Sequence, residues 1–376
     1  MTDSSGPPFR ADHVGSLLRP QALLDARARA AAGEIDADEL RSTEDAAIAD
    51  VVRMQQDVGL RTATDGEFRR ASWHMDFIYA IDGITKVTGE DIVVHFRNAD
   101  GTIDYTPAGL HVDGPLSIDE PVFGRDLEFL QSRVTDAQTA KLTIPSPSMV
   151  HYRGGAAAID PAVYPDEDAF WDALSAAYAQ QVRGVAELGC RYLQLDDTSL
   201  AYLNDPAQRA ELAAQGRDAE HQHERYIRQI NAALAGRPEG LTVTTHMCRG
   251  NFRSSWVAEG GYDFVAEALF GGLEVDGFFL EYDDARSGGF EPLRFVPPGK
   301  RVVLGLVTTK RPQLESKDDL KRRIEEASRF VPLEQLALSP QCGFSSTVEG
   351  NALTRDEQVA KLALVVEVAQ EVWGYA

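Results

Sequence analysis

No run of apolar residues in this 376-residue chain approaches the ~20 needed to cross a bilayer. Basic residues are scarce: 37 Lys plus Arg stand against 59 Asp plus Glu, a formal net charge of −22. An acidic surface of that kind repels nucleic-acid phosphate and anionic lipid, so neither is expected as a partner. Cysteine is limited to three residues, too few for a disulfide framework in so long a chain. Met1 to Arg10 is polar and carries prolines, without the apolar stretch of a secretion signal. These absences together predict a cytoplasmic protein with reduced thiols. Neither G-x-G-x-x-G nor G-x-x-x-x-G-K-[ST] occurs, so the usual glycine-rich phosphate cradles are missing. No internal repeat or low-complexity linker divides the chain.

What is present is ordinary globular material, 43% hydrophobic and 26% charged, sufficient for a full core. Short apolar runs alternate with amphipathic ones. Strands are expected at Phe9 to Val14, Leu60 to Thr64, Lys141 to Ile144, Tyr192 to Leu195, Leu241 to Thr245, Gly277 to Leu280, Val302 to Val307 and Leu336 to Leu338. Between them, Ile48, Val51, Val52, Gln55 and Val58 follow helical spacing, as do Trp171, Leu174, Tyr178, Val182 and Val185. Thr354 with Glu357 forms a capping-box signature for the last helix, and Ser316 with Asp319 a weaker start signal. Eight strands alternating with helices predict an α/β fold, a TIM (β/α)8 barrel spanning residues 1–376 as a single catalytic domain. The rhythm breaks at 83–133. There, Ile92 to Phe96 and Thr102 to Tyr105 flank an Asp100-Gly101 pair and read as a β-hairpin, part of a β excursion inserted between the second and third barrel strands.

Chemistry in such a barrel gathers where strands end at the C-terminal face. The expected strands run into Val14-Gly15-Ser16, Asp65-Gly66-Glu67, Asp196-Asp197, His246-Met247-Cys248, Glu281-Tyr282-Asp283, Thr308-Thr309-Lys310 and Cys342-Gly343. A single carboxylate at a strand end is an ordinary helix cap; polar groups recurring in phase with one face point to a site. His246, Cys248, Glu281 and Cys342 offer imidazole, two thiolates and a carboxylate, a suitable donor set for zinc. His246 and Cys248, two apart on a strand, point to the same side. The competing reading makes the cysteines small buried hydrophobes and the histidine a core residue. Cys190 lies before a strand, at the opposite end, and reads as structural. His221-Gln222-His223 reads as a solvated helix face; His13, His74 and His151 each fall near an expected mouth loop, and Asp283 or His74 is an available general base.

These residues resemble the catalytic barrel of the cobalamin-independent methionine synthases, and in particular its short single-barrel branch. The resemblance covers about residues 9 to 374. It is carried by His13-Val-Gly-Ser16, Asp65-Gly-Glu67, Gln194-Leu-Asp-Asp197, Thr245-His-Met-Cys-Arg-Gly250, Phe279-Leu-Glu-Tyr-Asp283 and Ser339-Pro-Gln-Cys-Gly343. It implies Zn2+ on His246, Cys248, Glu281 and Cys342, and homocysteine held at its amino-acid end by Gly15, Ser16, Glu67 and Asp196. It implies transfer of a methyl group to homocysteine to give methionine, from 5-methyltetrahydrofolate or a related donor. Three departures mark the donor side. The long enzymes' N-terminal barrel is missing. Pro145-Ser-Pro147 stands where a pterin-facing tryptophan is expected. Lys310 aligns with the histidine that protonates the leaving nitrogen, and so becomes the catalytic acid or an anchor for an anionic donor. Two other readings remain: an alkyltransferase using another thiol or electrophile, as in the similar epoxyalkane–coenzyme M transferases, and a zinc-binding barrel without catalysis. Glu67 and Asp196 argue against the sulfonate of coenzyme M. The β excursion suits either a lid or a contact in a homo-oligomer.

Overall fold

The computed structural model describes residues 6–88, 94–98, 101–105, 109–152 and 154–376. Its strands are β1 (Thr62–Ala63), β2 (Asp82–Val87), β3 (Val94–Asn98), β4 (Gly101–Tyr105), β5 (Gly109–Ser117), β6 (Thr139–Pro145), β7 (Tyr192–Asp197), β8 (Thr242–Met247), β9 (Gly277–Glu281), β10 (Arg301–Val307) and β11 (Leu336–Pro340). Seven of them form one parallel sheet in the order β1-β6-β7-β8-β9-β10-β11, with helices in the connections. Every residue of β7, β9 and β11 is buried, as expected for parallel strands covered on both faces. The sheet curls into the expected (β/α)8 barrel.

The expected first strand, Phe9 to Val14, is reduced to a single bridge between Ala11 and Leu338. The cause is local. The Asp12 carboxylate accepts the backbone N–H groups of Phe9 (3.2 Å) and His13 (2.8 Å), withdrawing both from a ladder. The second strand is likewise cut short, because the Thr64 N–H goes to Gln55 Oε1 at 2.9 Å. The circuit between these two segments closes through Leu17 N–H to Gly66 O (3.1 Å) and Thr64 Oγ1 to Gly15 O (2.7 Å). Val14, Phe279, Val303 and Ala337 meet as a buried apolar cluster contributed by the first segment, β9, β10 and β11.

The helices begin where the sequence supplies caps. Asp36 accepts from Glu39 N–H ahead of Ala37–Asp57, and Asp166 from Ala169 N–H ahead of Glu167–Glu187. Thr354 and Glu357 make a complete capping box for Arg355–Trp373. Ser316 caps Lys317–Ala327.

Between the second and third barrel strands, β2 pairs antiparallel with β5, and β3 with β4 from Val94↔Tyr105 to Asn98↔Gly101. Ile92, Val93 and the Ala99-Asp100 tip of the expected hairpin lie outside the described residues. Arg97 exchanges backbone hydrogen bonds with Trp256 (2.7 and 2.9 Å). Asn98 Nδ2 donates to Ser255 Oγ at 2.9 Å. The β3–β4 pair is thereby fastened to the loop that follows β8.

Candidate active site at the barrel mouth

His246 and Cys248 leave the end of β8, Glu281 ends β9 and Cys342 follows β11. One ligand atom from each lies within 4.8 Å of all the others, and all four residues are buried. The Cys248 and Cys342 sulfurs are 3.4 Å apart. Tetrahedral zinc with Zn–S of about 2.3 Å separates two thiolate sulfurs by roughly 3.8 Å, so this set fits zinc in both donor chemistry and spacing. Glu281 is positioned by Arg249. The Arg249 backbone N–H donates to Oε1 at 2.9 Å, while its buried guanidinium holds Glu281 O (3.0 Å), Tyr262 Oη (3.1 Å) and Gly260 O (2.8 Å). Glu281 Oε2 has no hydrogen-bond partner; the Arg286 guanidinium stands 3.6 Å and the Lys310 ammonium 4.0 Å from it, so no hydrogen bond has to break for this oxygen to take a metal.

The protein uses the remaining polarity of this cluster internally. A bond from Cys248 and another from His246 hold the Cys342 thiol down to about 5, against the opposing effect of burial. The same bond and burial push Cys248 well up. Burial disfavours the His246 imidazolium, but hydrogen bonds to Asp196 and Cys342 outweigh it and raise the group to about 10. His246 Nδ1 stands 3.4 Å from Asp196 Oδ1, which also accepts Gln194 Nε2 at 2.6 Å. Asp196 therefore orients an imidazole of the cluster, a task that its place beside Asp197 did not reveal.

His246, Cys248 and Cys342 face a cavity that Ser16, Glu67 and Asp196 also line. Glu67 is 3% exposed and sits at φ 61°, a strained backbone for a side chain larger than glycine. Its Oε1 accepts Thr143 Oγ1 at 2.8 Å and lies 3.7 Å from Arg70; Oε2 has no hydrogen-bond partner. Burial pushes the carboxyl up to about 7, despite the opposing Arg70 charge. Ser16 Oγ accepts Ser345 N–H at 3.3 Å. Gly343 lies against it: a Cβ there would fall 2.0 Å from that oxygen, which would have to turn away. Gly15 stands next to Ser16, and a Cβ on it would fall 2.8 Å from Thr143 Cγ2 and 3.2 Å from Glu67 Oε1.

Other residues go elsewhere. Lys310 does not line the cavity; its buried ammonium makes no hydrogen bond and lies 4.0 Å from Glu281 Oε2 and 3.8 Å from Asp283 Oδ2. Burial raises the Asp283 carboxyl, and Lys310 and Arg286 more than offset this, leaving it below the usual range. Asp283 is therefore half of an ion-pair cluster. Asp197 accepts the hydroxyls of Ser146, Ser148 and Ser199 and caps the turn at Leu200. It fastens the Pro145-Ser-Pro147 segment. Cys190 is buried, with its thiol pushed up to about 11 mainly by burial. His13 is buried below the cavity, and burial with the Lys141 charge lowers it to about 4. His151 packs on Trp171 at 5.0 Å and bonds Tyr226 Oη at 3.1 Å, away from the mouth. The solvated-face expectation holds for His221 but not for its neighbours. Gln222 and His223 are buried, His223 with its ring 5.1 Å from Phe264. Only His74 of the three ambiguous histidines lines the cavity, stacked on Trp73 at 4.3 Å. Sequence reasoning missed Trp73, Phe96, Tyr105, Tyr202 and Phe252 on the wall. The available signal was one aromatic on each strand of the hairpin, Phe96 in β3 and Tyr105 in β4.

Comparison with known proteins agrees with this geometry. The family model described as "Cobalamin-independent synthase, Catalytic domain" matches residues 9–371. The uncharacterized protein YxjG of Bacillus subtilis is 48% identical over 98% of this chain and 95% of its own. A Listeria monocytogenes protein whose crystal structure is described as that of a "Putative Vitamin-B12 Independent Methionine Synthase" is 39% identical over 98% of both chains, with a TM-score of 0.76. A B12-independent methionine synthase from Shewanella sp. W3-18-1, solved with selenomethionine, shares the fold at 18% identity and a TM-score of 0.69, covering 96% of this chain and 97% of that one. The family match runs from the first strand segment into the last helix, so no part of the barrel falls outside it, and the chain belongs to the cobalamin-independent methionine synthase family of catalytic domains.

Proposed function

We propose that this protein is a zinc-dependent methyltransferase that converts homocysteine to methionine, with Zn2+ held by His246, Cys248, Glu281 and Cys342. The observation that carries the reading is one cavity whose walls hold three members of the donor cluster, His246, Cys248 and Cys342, and, in Glu67, a buried carboxylate oxygen with no hydrogen-bond partner. Bound zinc would keep a substrate thiol deprotonated at neutral pH, and two cysteinates plus a glutamate leave that sulfur electron-rich. The chain's own residues do the rest. Glu67 Oε2 receives the substrate ammonium, with Asp196 beside it. Ser16 and the Gly15-Ser16 backbone face its carboxylate. Asp196 and Arg249 hold His246 and Glu281 in place. The substrate sulfur then attacks the donor methyl carbon, and the donor's leaving atom keeps the bond's electron pair.

The test is elemental analysis joined to turnover. The purified protein should carry one zinc per chain and form methionine from homocysteine and a methyl donor. Cys342→Ser should lose both zinc and activity while its circular dichroism remains that of the folded barrel. Full zinc occupancy in that variant would remove the assignment.

A further inference from the structure

The cavity above the cluster has a wall that the acceptor does not use. Phe96 on β3, Tyr105 on β4 and Phe252 after β8 line it together. Their ring centroids are 5.3 Å (Phe96–Phe252), 4.8 Å (Tyr105–Phe252) and 6.4 Å (Phe96–Tyr105) apart, at interplanar angles of 46°, 38° and 75°. Three mutually tilted rings make a concave corner and not a flat stacking face. The corner is tied to the Cys248 loop by the Arg97–Trp256 backbone pair.

We propose that the methyl donor is a small methyl-onium compound, a sulfonium or quaternary ammonium, received by this aromatic corner; the proposal rests on the methyltransferase reading above. Three independent features support it. First, the shape: a compact onium group fills a corner of ring faces and is attracted by their quadrupoles, whereas a planar ring system needs a parallel face. Second, the charge: no Lys or Arg lines the cavity among the described residues, while Glu67 and Asp196 do. Lys310 does not line it and stands 4.0 Å from Glu281 and 3.8 Å from Asp283. Among the described residues an anionic tail finds no Lys or Arg on that wall, and a chain of net charge −22 draws cations toward it. Third, the leaving group: the homocysteine sulfur forms a new S–C bond as the C–S+ or C–N+ bond breaks. Both electrons remain on the departing atom, which leaves as a neutral sulfide or tertiary amine. That step needs no proton, so it makes no demand on Lys310.

The test compares a cation with its neutral isostere on the zinc-loaded protein. By calorimetry, choline should bind at least tenfold more tightly than 3,3-dimethylbutan-1-ol. Phe252→Leu, which keeps bulk but removes the ring face, should bring the two within about twofold while zinc content and circular dichroism are unchanged; Phe96→Leu provides the same readout if Phe252→Leu fails to fold. In turnover with homocysteine, trimethylsulfonium should give methionine and dimethyl sulfide if the source is a sulfonium. Tetramethylammonium should give trimethylamine if it is an ammonium. Equal binding of choline and its isostere overturns the proposal. So does methionine formed from 5-methyltetrahydrofolate with neither onium reacting, a result that leaves the methyltransferase reading intact. No methionine from any of the three donors overturns both.

Discussion

Glu67 combines a strained backbone, near-complete burial and an oxygen with no hydrogen-bond partner, and its energetics are unfavourable until a cation arrives. Its folded-state value of about 7 lies above the usual 4.5. Between those values the folded chain keeps a proton that the unfolded chain has lost. Stability is therefore lost as pH rises through this window, and the full penalty applies above about 7. Glu67→Gln should remove it, raising the melting temperature of the ligand-free protein at pH 8 and changing little at pH 4.5; an upper bound is about 3 kcal/mol. Methionine, which presents the same ammonium without a thiol, should bind more tightly as pH rises toward 7 in the parent protein. In Glu67→Gln it should bind weakly and without that slope. A parent protein whose methionine affinity is flat from pH 5 to 8 would contradict this account. Asp196 separates from Glu67 by a different measurement. Because Asp196 Oδ1 faces His246 Nδ1 at 3.4 Å, Asp196→Asn should lower zinc affinity by roughly 10–100-fold in chelator competition, while Glu67→Gln leaves it unaltered. Equal zinc affinity in both variants would return Asp196 to the substrate alone.

At the scale of elements, strand ends were the legible part. Period-2 burial and the C-terminal-face rule brought His246, Cys248, Glu281 and Cys342 together from three separate strands. Sequence reading could not foresee where a side chain would take hydrogen bonds from a strand. Asp12 consumes two donors of the first segment and Gln55 one of the second, so both strands fall short of their apolar runs. Nor could it foresee which face of the β excursion turns inward: Phe96 and Tyr105 reach the cavity only because β3 docks on the loop after β8. Lys310, which the resemblance sets at the reaction, has its ammonium 4.0 Å from Glu281 and 3.8 Å from Asp283, buried carboxylates that need a cation, and no spacing in the sequence announces that pairing. The junction after β11 gives a sharp test. Gly343→Ala would set a Cβ 2.0 Å from Ser16 Oγ and 3.2 Å from Ser16 Cβ, so the Ser16 hydroxyl must turn away and give up the bond it accepts from Ser345 N–H. Zinc content should fall, since Cys342 is the adjacent residue, and Ser16→Gly in the same chain should restore it. Full zinc in Gly343→Ala would show that the loop yields at no cost to the cluster.

The whole barrel depends on how a first segment with only one ladder bridge is kept in place. Side chains from the interior stand in for the missing ladder: Lys141 Nζ donates to His13 O at 2.7 Å and Gln194 Nε2 to Val14 O at 2.7 Å. Lys141 also faces Asp12 Oδ1 at 3.4 Å and lies 4.1 Å from the centre of the Phe279 ring. Both partners are inaccessible to solvent, so burial pulls the Lys141 ammonium below its usual value even with Asp12 raising it. Asp12 in turn accepts Tyr192 Oη at 2.9 Å. Removing one member of such a pair leaves a buried charge without its partner, at a cost of about 3–5 kcal/mol. Lys141→Met should therefore lower the urea midpoint strongly. Asp12→Asn should do so as well, because it leaves the ammonium uncompensated. The double variant should be more stable than the sum of the two losses allows, with a coupling of at least ~1 kcal/mol. Hydrogen exchange should locate the opening: in Lys141→Met the amides of Asp12 and Leu338, which bridge the first segment and β11, should exchange faster than those of β7. Additive losses, or uniform exchange across the sheet, would show that the bridge and the apolar cluster of Val14, Phe279, Val303 and Ala337 close the barrel without the ion pair.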